Sequence, residues 1–276
     1  MPVHRLGTML LKILHDTRYG YDTPVPYGLM QLRLTPAEGA AQHVRAWQIE
    51  IEGGHEELRY TDHFGNVVVL AGLAGGQDAV HLHVSGLVET RETAGVSGPH
   101  AGPAPLWLFG RPTARTRAGN GVRALMRGLT AEAETPLEQM HLLMARVADA
   151  LPYQTGETHA HTTAEEALAH GCGVCQDHAH VFLAAARMLG VPARYVSGYL
   201  MTEGRVEHEA SHAWAEAHIE GLGWVGFDVS NRVCPDARYV RLACGLDYAD
   251  AAPVRGVHFG ASDESLAVSL RVEQQQ

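Results

Sequence analysis

The sequence is poor in positive charge and almost lacks lysine. Lys12 is the only lysine among 21 lysine and arginine residues, and 31 aspartate and glutamate residues give a formal net charge of −10 with neutral histidines. Nucleic acids and anionic membranes bind proteins through positive surface charge. We therefore expect neither as the main partner, and we attribute the shortage of lysine to genome composition rather than to function.

Long hydrophobic runs are also absent. No run approaches the roughly 20 apolar residues of a spanning helix, so no membrane association is expected. Residues 1–14 contain neither a sustained apolar segment nor a small-residue cleavage site, and a secretory signal is not predicted. Four cysteines without such a signal indicate free thiols in a reducing compartment. The expected location is cytoplasmic.

The first third of the chain predicts β-structure. Short runs with β-favouring residues or alternation are separated by turn-forming residues. These runs are residues 9–14, 29–34, 45–51, 67–70, 80–84 and 87–90. They indicate an N-terminal β-sandwich-like domain over residues 1–95. His81 and His83 share one strand face, but no third ligand stands at a suitable spacing, and we expect them to face solvent.

Residues 96–122 are rich in Gly, Pro and Thr and predict a connection, after which residues 123–276 form a second unit. Thr135-Pro-Leu-Glu138 is a capping box that begins a helix. A short helix is predicted at residues 163–169. Four strands are predicted at residues 193–200, 212–219, 224–229 and 261–272.

The most informative stretch begins at Gly171 and places Cys175 on the first turn of a helix that Gly190 ends. A cysteine there faces unpaired backbone N–H groups and the positive end of the helix dipole, and both favour the thiolate. A thiolate is a strong nucleophile, and the N–H groups can stabilise a developing oxyanion.

Two later strands carry the residues that such a cysteine needs. Residues 220–223 make the strands a hairpin. If they pair with His212 opposite Ser230, then His212 and Asp228 are diagonal neighbours on one face, whereas a slip of one residue would separate them. Cys175, His212 and Asp228 would then be nucleophile, base and orienting acid.

These motifs resemble the transglutaminase-like superfamily of papain-related cysteine enzymes. Gly173-Val-Cys-Gln-Asp177 resembles its nucleophile motif, and Ser211-His-Ala-Trp-Ala-Glu216 and Gly223-Trp-Val-Gly-Phe-Asp228 resemble its histidine and aspartate motifs, in the expected order. Leu32-Arg-Leu-Thr-Pro36 and Asp62-His-Phe-Gly-Asn66 resemble the N-terminal domain of the bacterial subgroup. Val229 follows the aspartate where the family often has proline.

The resemblance implies an α+β fold: a papain-like core, with the nucleophile helix packed on an antiparallel sheet, joined to the N-terminal domain. It implies Cys175 as nucleophile, His212 as general base and Asp228 as its orienting partner. It also implies an upstream donor to the oxyanion, for which Gln154 is a candidate. Asp177 is expected to cap or orient, and Tyr199 either lines the cleft or faces the core.

The function expected is amide acyl transfer through a Cys175 thioester to water, as in a peptidase or amidase acting on a peptide or protein amide. Protein-glutamine transglutaminase or deamidase activity is the alternative. A thiol oxidoreductase using Cys172 and Cys175, a structural zinc site at these cysteines, and a non-catalytic binding scaffold are less favoured. No cofactor or metal is expected, no acidic loop supports calcium, and the oligomeric state is left open.

Overall fold

The computed structural model describes residues 7–202, 207–208, 211–259 and 264–275. The strands in chain order are β1 (Thr8–Val25), β2 (Tyr27–Thr35), β3 (Gln42–Glu52), β4 (Gly54–Thr61), β5 (Val67–Leu73), β6 (Gln77–Arg91), β7 (Val96–Gly98), β8 (Ala193–Leu200), β9 (Glu207–His208), β10 (His212–Ile219), β11 (Gly223–Phe227), β12 (Tyr239–Gly245), β13 (Val254–Phe259) and β14 (Glu264–Gln275). The helices are α1 (Asn120–Leu125), α2 (Leu129–Glu132), α3 (Pro136–Ala150), α4 (Ala164–His170), α5 (Cys175–Met188) and α6 (Tyr248–Ala251), with a 3₁₀ helix at Leu106–Gly110.

Three mostly antiparallel sheets organise the chain. Two lie in the N-terminal part, in the orders β3-β6-β1-β14-β9 and β13-β2-β5-β4. They enclose a common apolar cluster that includes Leu11, Leu32 and Leu82. The third sheet, β12-β8-β10-β11-β7, packs one face against α3 and α5. The expected α+β class, with a sandwich-like N-terminal part and a helix-on-sheet core, is confirmed.

The N-terminal strands differ from the prediction in three places. Strand β1 continues from the predicted residues 9–14 as far as Val25. The predicted strands 80–84 and 87–90 are one strand, because Gly86 permits close packing rather than a turn: a Cβ there would lie 2.1 Å from the Trp47 ring. Strand β4 was not predicted. It is an exposed edge strand rich in charged side chains, so it lacks the apolar alternation that marks a strand.

Strands also cross the predicted segment boundaries. Val96–Gly98, expected within the connection, pairs with β11 of the core sheet. The terminal strand begins at Glu264 and pairs with β1, and β13 pairs with β2, so both ends of the chain build the N-terminal sheets. The first three residues of the predicted strand 261–272 lie outside the described residues.

The helix predictions follow the capping chemistry closely. Thr135 accepts a hydrogen bond from the Glu138 amide, and Glu138 accepts one from the Thr135 amide, which completes the predicted capping box of α3. Helix α4 ends at Gly171, whose φ of 75° is the left-handed conformation that glycine adopts at helix ends. The next three residues lead directly to Cys175.

Arg187 fixes the far end of the nucleophile helix. Its buried guanidinium donates to the carbonyl oxygens of Phe109, Ala193 and Leu246 and to the Thr116 hydroxyl, at 2.7–3.2 Å. One side chain therefore joins α5 to β8, to the turn before α6 and to the connecting segment.

We expect Arg187→Leu to lower the free energy of unfolding by about 3 kcal/mol or more, because several buried oxygens lose their donor. Urea unfolding followed by circular dichroism measures this change. The matched control is Arg59→Leu, an exposed arginine that pairs with Glu56, and we expect a change within about 0.5 kcal/mol. Equal effects of the two substitutions would contradict this role of Arg187.

Candidate active site

Cys175 is the first residue of α5. Val174 precedes it in extended conformation, and its amide donates to the Asp177 carboxylate at 2.9 Å. The same carboxylate oxygen accepts from the Thr158 hydroxyl at 2.6 Å. Asp177 therefore caps the helix, as the sequence suggested. Among the described residues, no hydrogen bond is formed by the Cys175 amide, which leaves this N–H available beside the thiol.

His212 and Asp228 meet through the predicted strand register. Ala215 of β10 lies opposite Phe227 of β11, and this register, continued beyond the pair, sets His212 opposite Ser230. His212 begins β10, and Asp228 directly follows β11. The His212 Nε2–H donates to the Asp228 Oδ2 at 2.6 Å.

The Asp228 carboxylate is fully buried and has further donors. The Asn231 side-chain amide and the Tyr239 hydroxyl each donate to Oδ2 at 2.7 Å, and the Asn231 backbone amide donates to Oδ1 at 3.2 Å. Burial raises the pKa of Asp228, but the hydrogen bonds and the charge of His212 outweigh it and hold the pKa below its ordinary value. The acid is therefore ionised at neutral pH.

Because His212 Nε2 is hydrogen-bonded to Asp228, Nδ1 is the ring nitrogen that remains available to Cys175. Burial lowers the pKa of His212, but hydrogen bonds to Asp228 and Cys175, together with the negative charge of both partners, raise it to about 10. The imidazole is thus a cation beside the ionised Asp228 near neutral pH. A thiolate–imidazolium pair is the form of a cysteine nucleophile that can attack a carbonyl.

His178 connects the start of α5 to the loop that follows Asp228. It is buried, its Nε2 donates to the Leu151 carbonyl at 2.6 Å, and its Nδ1 therefore accepts from the Ser230 hydroxyl at 2.8 Å. Burial lowers the pKa of this histidine. The ring is therefore a structural link between Leu151 and Ser230.

Cys175 and His212 lie in a cleft of about 720 Å³ between the core and the N-terminal part. Tyr195 and Ser197 of β8 line one wall, and Leu270 of β14 lines another. The described lining contains no Asp, Glu, Lys or Arg side chain. Apart from Cys175 and His212, its ionisable groups are tyrosines.

Gln154 and Tyr199, which the sequence suggested as supporting site residues, are not part of the described cleft lining. The Gln154 backbone amide donates to the Gly173 carbonyl at 2.8 Å, its side chain donates to Glu157, and it is not part of the described cleft lining. Its backbone N–H is thus occupied, and its side chain is bonded to Glu157. Tyr199 is fully buried and bonds His15 Nδ1 at 2.8 Å, so of the two expected positions it takes the core-facing one.

Asn231 and Tyr239 are the site residues that sequence reasoning missed. Asn231 lies three residues after Asp228, and an asparagine in such a turn is a readable signal of a local side-chain bond. Tyr239 lies on β12, and no local sequence pattern predicts its contact with Asp228.

The four cysteines are relevant to the redox and zinc alternatives considered from the sequence. All four are free thiols. Within the described residues, no group of three metal-ligating side chains includes Cys172 or Cys175.

Comparison with known proteins places the chain in a family. Residues 123–229 match the model of the transglutaminase-like superfamily, and residues 11–89 match that of the bacterial transglutaminase-like N-terminal region. An uncharacterized protein of Mycobacterium leprae (strain TN) is 30% identical over 277 residues, which cover 95% of this chain and 98% of that protein. The chain belongs to the transglutaminase-like superfamily.

Two further similarities agree with this membership. An uncharacterized protein of Mycobacterium bovis is 27% identical over 94% of this chain and 91% of its own length. The fold is similar to that of a putative cysteine protease from Cytophaga hutchinsonii, with a TM-score of 0.79 and 20% identity over 98% of this chain and 92% of that one. The superfamily fold supports cysteine-dependent acyl transfer as the general class of chemistry. In the described part of the chain, helices with the length and apolarity to span a bilayer are absent.

The raised pKa of His212 predicts that its ring stays protonated well above pH 7. We expect a ¹⁵N-histidine NMR titration to show the doubly protonated ring at pH 8, with a midpoint near 10. In Cys175→Ala the midpoint should fall, because the hydrogen bond and the electrostatic interaction with Cys175 that raise the pKa of His212 are removed. The His212 signal is assigned by its loss in His212→Gln. A midpoint near the ordinary 6.5 in the unsubstituted protein would contradict the ion pair.

Proposed function

We propose that this protein is a cysteine-dependent amidase or peptidase that uses Cys175 as nucleophile, His212 as general acid and base, and Asp228 as the group that orients His212. The observation that carries the proposal is the Cys175–His212–Asp228 arrangement at the start of α5, with His212 bonded to Asp228 at 2.6 Å. Membership of the transglutaminase-like superfamily supports the same class of chemistry.

In the first half-reaction, the Cys175 thiolate attacks the amide carbonyl and forms a carbon–sulfur bond. The carbonyl oxygen becomes an oxyanion, for which the free Cys175 amide at the positive end of α5 is the first donor. Collapse of this intermediate breaks the carbon–nitrogen bond. The imidazolium of His212 donates its proton to the leaving amine, and a thioester on Cys175 remains.

In the second half-reaction, water attacks the thioester. Neutral His212 takes a proton from this water, a second tetrahedral oxyanion forms and collapses, and the acid product leaves as Cys175 is regenerated. Asp228 stabilises the imidazolium in both halves, because the Asn231 and Tyr239 bonds keep its carboxylate ionised and fixed.

A primary amine in place of water would make the protein a transglutaminase. The same thioester serves both reactions, and the difference lies in which acceptor reaches it. Hydrolysis needs no second binding site, so we propose water as the acceptor of this chain.

We expect Cys175→Ala to abolish labelling of the cleft by an electrophilic glutamine- or peptide-based probe, since the described cleft lining then contains no thiol. Mass spectrometry of the digested protein locates the label. Cys172→Ala is the matched control, because it removes a thiol from the same turn, and its labelling at Cys175 should equal that of the unsubstituted protein. If both variants lose labelling equally and Cys172 and Cys175 form a reversible disulfide, the protein is a thiol oxidoreductase instead.

The acceptor is tested with a glutamine peptide that the probe experiment selects. We expect hydrolysis of an amide bond of this peptide, which releases a new carboxylate and an amine, without any added primary amine, and no larger turnover when a primary amine is present. His212→Ala should lower the rate about 10²–10⁴-fold, as loss of a general acid and base does. Conversion of glutamine to glutamate alone would assign the deamidase reaction, and an amide-linked amine adduct in place of the carboxylate would assign the transglutaminase reaction.

A further inference from the structure

A second group of functional side chains lies on the exposed face of the β3-β6-β1-β14-β9 sheet. His81 and His83 project from the same face of β6. Glu52, at the end of β3, pairs with His81 in the strand register. One ligand atom from each of these three residues can be chosen so that all lie within 4.8 Å of one another.

The spacing suits a single metal ion. Donors that are about 2.0–2.2 Å from a tetrahedral Zn²⁺ ion lie roughly 3.4 Å from one another. His83 Nε2 and Glu52 Oε1 are already 3.7 Å apart. The Glu52 side chain is 67% exposed, so it can rotate toward an ion without moving a strand, and one nitrogen of each imidazole lies within 4.8 Å of the other ring's.

Asp16 orients His83 for metal binding. Its carboxylate accepts a hydrogen bond from the His83 Nδ1–H at 2.5 Å. With the proton held on Nδ1, the lone pair of Nε2 is directed toward Glu52. A carboxylate that fixes the far side of a metal-binding histidine is the usual second layer of a zinc site.

The charges around the cluster also favour a cation. Asp16 and Glu50 lie opposite His83 in the registers of β1 and β3, and Glu52 Oε1 lies 3.7 Å from His83 Nε2. Arg18 lies opposite His81 in the register of β1. Its positive charge opposes the negative charge of these carboxylates. Three carboxylates against one guanidinium leave the patch negative.

We propose that Glu52, His81 and His83 bind one divalent transition-metal ion of the Zn²⁺ class, with Asp16 orienting His83. Two imidazoles and a carboxylate are a donor set suited to such an ion, and they leave a fourth position for water. The third ligand was not readable from the sequence, because Glu52 belongs to another strand. The site lies away from Cys175, and the proposal does not depend on the proposed function.

The test is calorimetric titration of the full chain with Zn²⁺ in a Cys175→Ala background, which removes the nucleophilic thiol as a competing ligand. We expect one site in this parent. His81→Ala, His83→Ala and Glu52→Gln should each abolish it. Asp16→Asn should weaken binding by about 10–100-fold, as loss of a carboxylate behind a ligating histidine does.

His55→Ala is the matched control, because His55 is an exposed histidine that pairs with Glu57 at 2.8 Å on the same N-terminal part. Binding by this variant should equal that of the parent. Circular dichroism confirms that each variant is folded. As an independent measurement, Zn²⁺ should raise the thermal midpoint of the parent and leave that of folded His83→Ala unchanged.

If His81→Ala and His83→Ala bind Zn²⁺ as the parent does, or if His55→Ala loses the same binding, the ion is held by scattered surface histidines and the proposal is wrong. Replacement of Zn²⁺ by Co²⁺ allows the site to be followed by visible absorption spectroscopy. A visible absorption band that disappears in Glu52→Gln supports the three-ligand site, and a band unaffected by that change contradicts it.

Discussion

The buried carboxylate of Asp228 is the constraint on which the arrangement of the candidate site depends. An ion removed from water must have hydrogen-bond donors. Asp228 obtains them from His212 at the start of β10, Asn231 in the following turn and Tyr239 in β12. These donors come from separate segments, so satisfying one anion holds a strand start, a turn and a second strand in one geometry. The position of the imidazole against Cys175 follows from that geometry.

The local parts of this arrangement were readable from the sequence. Strands β8 and β10 have the predicted bounds, and both are short segments that are buried along nearly their whole length. The register that brings His212 to Asp228 follows from a short hairpin connection. The start of α5 follows from the glycine-bearing turn and from the cap that Asp177 provides. Each of these features is encoded within a few neighbouring residues.

The parts that could not be predicted depend on contacts between distant segments. Tyr239 contacts Asp228 because β12 pairs with β8, and no periodicity in the sequence predicts that pairing. Gln154 was named because it lies upstream of Cys175, but its donors are used within its own loop and by Gly173. Glu52 reaches His81 only because β3 pairs with β6. Sequence spacing describes one element at a time, and these neighbours belong to different elements.

Strand β14 gives the cleft a dependence on the order of synthesis. Leu270 lines the cleft from this strand, which pairs along β1 at the opposite end of the chain. A nascent chain that already contains Cys175, His212 and Asp228 still lacks that wall until β14 has been synthesised and has paired with β1. The cleft is therefore complete only once two strands that are far apart in the sequence have come together.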